Sequence, residues 1–458
     1  MATPTPTPTV GRHTIVVDLG FGDAGKGTVV DHLCRSAATA GAPVRAVVRF
    51  NGGAQAAHNV VTDDGRHHTF AQFGSGTLAG VPTHLSREML VDPLALAAEA
   101  AHLAALGVPD PFGALTVHRD ALLTTPYHAA ANQARERARG AGRHGSCGMG
   151  IGETAAYALA HPDDAPRVRD CADPVRLRRL LGLLADRLTA ELGPLAGADG
   201  GPGRLTTGGG TTAGADVGPG AGAGGGPVAP VEDCAAVFGA FADTVRVVGD
   251  RHLAGLLRAG PVVFEGAQGV LLDEWHGFHP YTTWSTTTFA NAEKLLRDAG
   301  HDATRLGVLR TYTTRHGAGP LVTEDPALAA ALPDRHNGTG RWQGTFRAGH
   351  FDAVAHRYAV EVAGGVDAVA LTHLDAPGRR PLRVCRAYEL AGVRVERLAP
   401  WPAGDLAAAA AATTRLLTAR PVLDPTPPRP DDWPALAAEI CGAPVSIRSY
   451  GPCHRDKR

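Results

Sequence analysis

Apolar positions along this chain fall into short continuous runs separated by longer amphipathic stretches. Residues 13–20 read HTIVVDLG, an apolar run closed by glycine, which is the pattern of a strand buried on both faces of a parallel sheet. GKGTVVDHLCRSAATAG (25–41) predicts a helix ending at Gly41, and APVRAVVRF (42–50) predicts a second strand. Together they form a strand–glycine loop–helix–strand unit whose loop lies at a helix N-terminus, where free N–H groups and the helix dipole favour an anion. Further helices are predicted at 91–106, 127–140, 176–192, 287–299, 352–363 and 404–419, and further strands at 261–266, 305–314 and 366–375. This alternation predicts an α/β fold with a large, mostly parallel central sheet flanked by helices. Residues 193–230 are dominated by Gly, Ala and Pro, with almost nothing large enough to pack. They read as a disordered surface insertion within a single domain spanning 13–458, a domain linker being the competing reading. The Thr-Pro alternation of residues 1–12 reads as a disordered tail.

Composition narrows the partners. The 458 residues carry a formal net charge of -1, which suggests neither a nucleic-acid binder nor a membrane-surface binder. Lysine occurs only at Lys26, Lys294 and Lys457, so a lysine inside the glycine loop stands out in a chain that otherwise uses arginine. The seven cysteines are scattered without a C-x-x-C pair, which argues for a reducing compartment and against a disulfide framework or structural zinc. No apolar run approaches the ~20 residues of a membrane span, and the first residues lack signal-peptide regions. The expectation is a cytoplasmic protein.

The chemistry begins at LGFGDAGKGTVVD (19–31). Gly20, Gly25 and Lys26 fit the first seven places of a phosphate-binding loop, but the eighth, normally the hydroxyl that holds magnesium, is Gly27. An acid, Asp23, stands inside the loop. Beside phosphate it is repelled unless it binds a metal or handles a proton, so it reads either as a magnesium ligand or as a base. In NGGAQAAH (51–58), Gln55 and His58 follow the second strand; His58 could neutralise charge during phosphoryl transfer, or be a solvated loop histidine. Polar residues crowd the ends of later strands in FEGAQGVLLDEWHGFHPYTT (264–283), TRHGAGPLVTE (314–324) and THLD (372–375). Asp375 could accept from guanine N1 and N2, or cap a helix.

These motifs, with GSCGMGIG (145–152), LTHLD (371–375) and SYGPCHRD (449–456), resemble adenylosuccinate synthetase in family order from residue 13 to the C-terminus, the Gly/Ala stretch excepted. The resemblance implies a P-loop-GTPase-related α/β fold, a homodimer, and a GTP-dependent ligase. Such a ligase joins IMP to L-aspartate through a 6-phosphoryl-IMP intermediate, with Mg2+ as cofactor and GTP as co-substrate. It implies catalytic roles for Asp23, His58 and Gln268, and GTP contacts from Gly22, Gly25, Lys26, Gly27, His58, His373, Asp375, Ser449 and Gly451. It further implies IMP contacts from Asp23, Gln55, Ser146, Cys147, Gln268, Leu272 and Thr283, aspartate contacts from Thr339, Arg341 and Arg347, and metal contacts from Asp23 and Ala57. Arg167 and Arg169 are candidates for an arginine reaching a partner subunit's IMP.

The chain departs from the family pattern in four places. GDEGKGK is GDAGKGT here; GTTGRGIG is GSCGMGIG; KLD is HLD, so His373 replaces a lysine; and the arginine-rich amine loop reads TGRWQGTFR (339–347), longer and poorer in arginine. Bidentate arginine–carboxylate pairing is geometry-specific, so the last change leaves open a diverged ligase using another amine or purine-like acceptor. A non-catalytic GTP-binding regulator is the alternative from another class.

Overall fold

The computed structural model describes residues 11–195, 228–334 and 337–458. Its centre is a nine-stranded sheet. In chain order the strands are β1 (Thr14–Asp18), β2 (Val47–Arg49), β3 (Thr83–Leu85), β4 (Leu115–His118), β5 (Arg246–Val248), β6 (Val263–Glu265), β7 (Thr304–Arg310), β8 (Ala368–Thr372) and β9 (Val445–Arg448). Spatially they run β9-β8-β7-β1-β6-β2-β3-β4-β5. Every neighbouring pair is parallel. The expected α/β fold with a mostly parallel sheet is therefore observed.

The apolar runs are continuous because both faces of the sheet are covered. In β1, Ile15 and Val17 join one apolar cluster while Val16 joins another on the opposite face. The chain builds outward from β2 to β5, returns to insert β6 beside β1, then builds the other half through β7, β8 and β9. The order of strands thus reverses at β1 and β6, and a crevice outside the carboxyl ends of strands at such a switch point is where open α/β sheets bind ligands.

Among the helices, α1 (Lys26–Thr39) follows the glycine loop, α2 (Pro126–Arg139) and α3 (Ile151–Ala160) flank GSCGMGIG, and α4 (Pro174–Leu192) and α5 (Val231–Thr244) stand on either side of the Gly/Ala/Pro-rich stretch. Leu177, Leu181, Leu184 and Leu188 of α4 share one apolar cluster with Cys234, Phe238 and Phe241 of α5, and Val228 and Ala229 pack against it. Tyr127 donates a hydrogen bond to the Ala229 carbonyl at 2.8 Å. Residues 228–230, assigned to the insertion from composition, are therefore anchored; 196–227 and the tail residues 1–10 lie outside the described residues. The strand predicted at 305–314 is two: β7 ends at Arg310, and Thr313–His316 pairs antiparallel with Phe346–Gly349 in a separate ribbon. Thr311, at the break, donates its hydroxyl to the His373 carbonyl at 2.7 Å, which redirects the chain.

Candidate active site

The glycine loop is organised by the last residue of β1. Asp18 accepts from the Gly20 N–H and the Ala24 N–H, both at 2.9 Å, and from Lys26 Nζ at 3.2 Å. Lys26 Nζ also donates to the Gln268 carbonyl at 2.6 Å, so the loop lysine bridges the ends of β1 and β6. α1 starts after Gly25, whose φ of 96° lies in the left-handed region, and no side chain caps the helix. Its first N–H groups are left for an anion. Asp23 also has a positive φ, 58°. Its carbonyl accepts from Arg310 at 2.9 Å, whereas its carboxyl group has no hydrogen-bond partner among the described residues. Burial pushes this carboxyl above its ordinary range, against the pull of Lys26 and Arg310.

The missing hydroxyl at position 27 has a steric cause. A Cβ on Gly27 would lie 2.9 Å from the Cβ of His58 and 3.1 Å from the Asn59 carbonyl. The hydroxyl that arrives one residue late, on Thr28, donates to the Pro452 carbonyl at 2.5 Å and so ties α1 to the C-terminal loop. His58 opens a short strand, His58–Val61, and its Nδ1 lies 2.7 Å from Glu265 Oε1 at the end of β6. Glu265 also accepts from the Ser75 N–H at 2.9 Å and the Ser75 hydroxyl at 2.5 Å. The hydrogen bonds from His58 and Ser75 and the charge of Arg49 hold this fully buried carboxyl well below the usual range, against desolvation. A carboxylate only accepts, so Nδ1 carries the hydrogen. Burial outweighs Glu265 and lowers the His58 pKa, leaving a neutral ring.

A cleft with a free volume of about 220 Å³ joins these groups. Its lining includes Asp23, Gly25, Lys26, Gly27, Ala57 and His58 on one side and His373, Asp375, Ser449 and Gly451 on the other. Of the residues assigned to GTP by resemblance, Gly22 alone is outside it. Asp375 precedes the short helix Ala376–Arg379 but makes no capping hydrogen bond; it pairs with Arg379 at 2.5 Å. His373 Nδ1 is 2.9 Å from the Thr372 hydroxyl, which itself donates to the Ala24 carbonyl at 2.6 Å. Asp334 and Asn337 also line the cleft and were not singled out from the sequence. The signal available for Asn337 was its position two residues before Thr339.

A second group of side chains meets beside the phosphate loop at Gly52. A Cβ there would lie 3.1 Å from Gln268 Oε1 and 3.3 Å from Gln55 Nε2. Both amide atoms of Gln55, and Gln268 Oε1, are buried without a partner among the described residues. Leaving such groups unpaired is costly, so this is a site shaped for a polar ligand. At neighbouring Gly53 a Cβ would meet Ile151, the seventh residue of GSCGMGIG, at 2.7 Å. Leu272 accepts the Thr283 N–H at 2.8 Å, and Ser146 Oγ accepts from Asn132 at 2.9 Å. Burial raises the Cys147 thiol.

The two most altered motifs touch each other. A Cβ on Gly148 would lie 2.9 Å from the Trp342 ring. Around that ring stand the guanidinium groups of Arg137, Arg143 and Arg341, at 5.2, 5.4 and 5.4 Å from its centre. Thr339 and Arg341 are exposed. Arg347 is not free: it bonds Glu324 at 2.6 and 3.0 Å and the Gly317 and Gly319 carbonyls at 2.9 Å each. The candidate partner-reaching arginines are likewise engaged, Arg167 with the Asp120 carbonyl at 2.8 Å and Arg169 with the Asp120 carboxylate. No cluster of three or more His, Cys, Asp or Glu side chains suited to a metal occurs among the described residues. A hydrated Mg2+ needs only one or two carboxylates beside nucleotide phosphates, and the unbonded Asp23 carboxyl in this cleft fits that requirement.

The adenylosuccinate synthetase family model matches residues 15–196 and 233–456. The chain belongs to that family. Adenylosuccinate synthetase of Neisseria gonorrhoeae is 30% identical over 466 residues, covering 97% of both chains. That of a Synechococcus species is 36% identical over 395 residues, covering 84% of this chain and 80% of the relative. Among solved structures, the fully ligated adenylosuccinate synthetase of Plasmodium falciparum matches at a TM-score of 0.76 and 18% identity, over 98% of this chain and 99% of that one. A cyanophage S-2L succinoaminodeoxyadenylate synthetase, bound to dGMP and dATP, matches at 0.53 and 18% over 98% and 95%. Both carry the same fold. The family consists of GTP-dependent C–N ligases acting on small molecules. No helix among the described residues is long and apolar enough to cross a membrane.

Proposed function

We propose that this adenylosuccinate synthetase family member joins IMP to L-aspartate with GTP, and that Asp23 is its base. The observation that carries the reading is the Asp23 carboxyl: it makes no hydrogen bond among the described residues, lies in one cleft with Lys26 and His58, and is raised by burial above its ordinary range. Asp23 takes the N1 proton of the purine; O6 then forms a bond to the γ-phosphorus as the bond to GDP breaks. Lys26, Gly22, Gly25 and Gly27 hold the phosphates. His58 starts as a neutral ring. It takes a second proton from solvent as phosphate arrives, and stands as imidazolium between Glu265 and the transferring group. In the second half, the aspartate amine bonds C6 and the C6–O bond breaks, releasing phosphate.

Asp375, His373, Ser449 and Gly451 take the guanine. The Gln55 amide and the Gln268 Oε1, with Leu272, Thr283, Ser146 and Cys147, take IMP, and Gln268 steadies the reacting purine. Thr339, Arg341 and Arg347 take aspartate. Asp23 and Ala57 would hold Mg2+, which when bound would neutralise charge on the phosphates. The enzyme works as a cytoplasmic homodimer, with 193–230 as an insertion in one domain. The comparisons favour neither a ligase for another amine nor a non-catalytic GTP-binding protein. The test is phosphate release from Mg2+, GTP and IMP, with and without aspartate. Aspartate-dependent release with formation of adenylosuccinate supports the reading; GTP binding without turnover, or release that needs another amine, overturns it.

A further inference from the structure

The chain's three lysines have different surroundings. Lys26 is in the phosphate loop, and Lys294 is a surface partner of Glu88 with a side chain 55% exposed. Lys457 is only 6% exposed, yet no carboxylate lies within ion-pair distance of its ammonium among the described residues. Its Nζ donates instead to the carbonyls of Cys453 at 2.8 Å and of Gly451 and Pro452 at 3.4 Å each. Those three residues form the turn after Ser449, and Ser449, Gly451 and Pro452 line the cleft. The same turn is closed by the Tyr450 N–H on the Asp456 carbonyl at 2.9 Å and by the Cys453 N–H on Asp456 Oδ2 at 2.8 Å. It is tied to α1 by Thr28 on Pro452, and by His32 Nδ1 at 3.0 Å from His454 Nδ1.

We infer that Lys457 is a positioning residue for the nucleotide base: its ammonium gathers the carbonyls of Gly451, Pro452 and Cys453 on the side away from the ligand and so fixes the wall of the cleft that meets the guanine. This rests on the reading of the cleft as the GTP site. Burial lowers the Lys457 pKa to about 8, although Asp456, Cys453 and Asp63 and, from α1, Asp31 favour the charged form; His32 and His454 also face it from α1 and the same turn. Between pH 8 and the ordinary lysine value the unfolded chain holds a proton that the folded one does not, so stability rises with pH in that window. Burying the charge at neutral pH therefore costs stability, while the geometry it imposes falls on the nucleotide wall.

The experiment compares Lys457→Met and Lys457→Arg with the wild type in steady-state turnover and thermal melting. Lys457→Met is expected to raise the KM for GTP about ten-fold, the equivalent of one charged hydrogen bond. Its kcat and its KM values for IMP and aspartate should stay near wild type, and its melting temperature should not fall. In the wild type the KM for GTP rises as pH passes 8; in Lys457→Arg it stays low and flat. An unchanged KM for GTP in Lys457→Met overturns the inference. So does a loss spread equally over kcat and all three KM values with a lower melting temperature. Absence of wild-type turnover with GTP overturns instead the functional reading beneath it.

Discussion

Gly27 packs against His58 so closely that a Cβ on the glycine would stand 2.9 Å from that of the histidine. The helix that follows the phosphate loop and the strand that carries His58 therefore meet without a side chain between them. Restoring the usual hydroxyl by Gly27→Ser would push His58 off its bond to Glu265. The expected outcome is a fall in kcat of at least ~10²-fold, the scale of a misplacement of about 1 Å. Steady-state turnover measures it, and a serine variant as active as the wild type would show that the contact can relax.

Glu265 is predicted to set the hydrogen on His58. Glu265→Gln keeps the shape but loses a charge held by three hydrogen bonds. The variant should lose roughly 10²–10⁴-fold in kcat, as for one misdirected acid/base group, with KM for GTP changed far less. The same carboxyl gives an acid-stability signature. Its pKa is about 2 in the fold against 4.5 as the ordinary value, so its contribution is present above 4.5 and is lost as pH falls toward 2. The variant's melting temperature should be flatter with pH in that window.

Buried histidines predict sensitivity to milder acid. Desolvation holds His84 and His128 at about 3 and His356 at about 4. On unfolding each returns to 6.5 and takes up a proton, so the stability from keeping them neutral is present above pH 6.5 and lost as pH falls to 4. Asp92 and Asp352, raised to about 6, act in the opposite sense but are fewer. Melting temperature should therefore fall from pH 7 to pH 4.5; a flat profile would contradict the burial of these rings.

In the amine loop, Arg341 and Arg347 should behave differently. Arg341 is exposed near the tip, so Arg341→Ala is predicted to raise the KM for aspartate roughly 10–100-fold while leaving that for GTP unchanged. Arg347 already bonds Glu324 and two glycine carbonyls. Arg347→Ala should lower the melting temperature as well as the affinity for aspartate, and equal effects of both variants on stability would contradict the distinction.

Much of the fold was legible because a parallel sheet covered on both faces writes itself as unbroken apolar runs, as in β1 and β6. The outer strands β3 and β4 and the edge strand β5 carry only three or four residues each and include His84, Thr116, His118 and Arg246, so no run marks them. The phosphate loop and His58 could be read locally. Glu265 could not be read as the partner of His58, because the two are 207 positions apart and only the adjacency of β6 and β2 brings them together. Lys457 was visible as a rare lysine, but its carbonyl partners depend on a turn that no periodicity encodes. Trp342 against Gly148 likewise joins two loops whose departures from the family pattern looked independent in sequence.

The central claim is that Asp23 takes the purine proton, and its most direct test is Asp23→Asn assayed with GTP, IMP, aspartate and Mg2+. The asparagine keeps the size of the side chain but cannot accept that proton. The account predicts a fall in turnover on the scale of ~10²–10⁴-fold, with GTP and IMP still bound by equilibrium titration. Turnover within a few-fold of the wild type would contradict it.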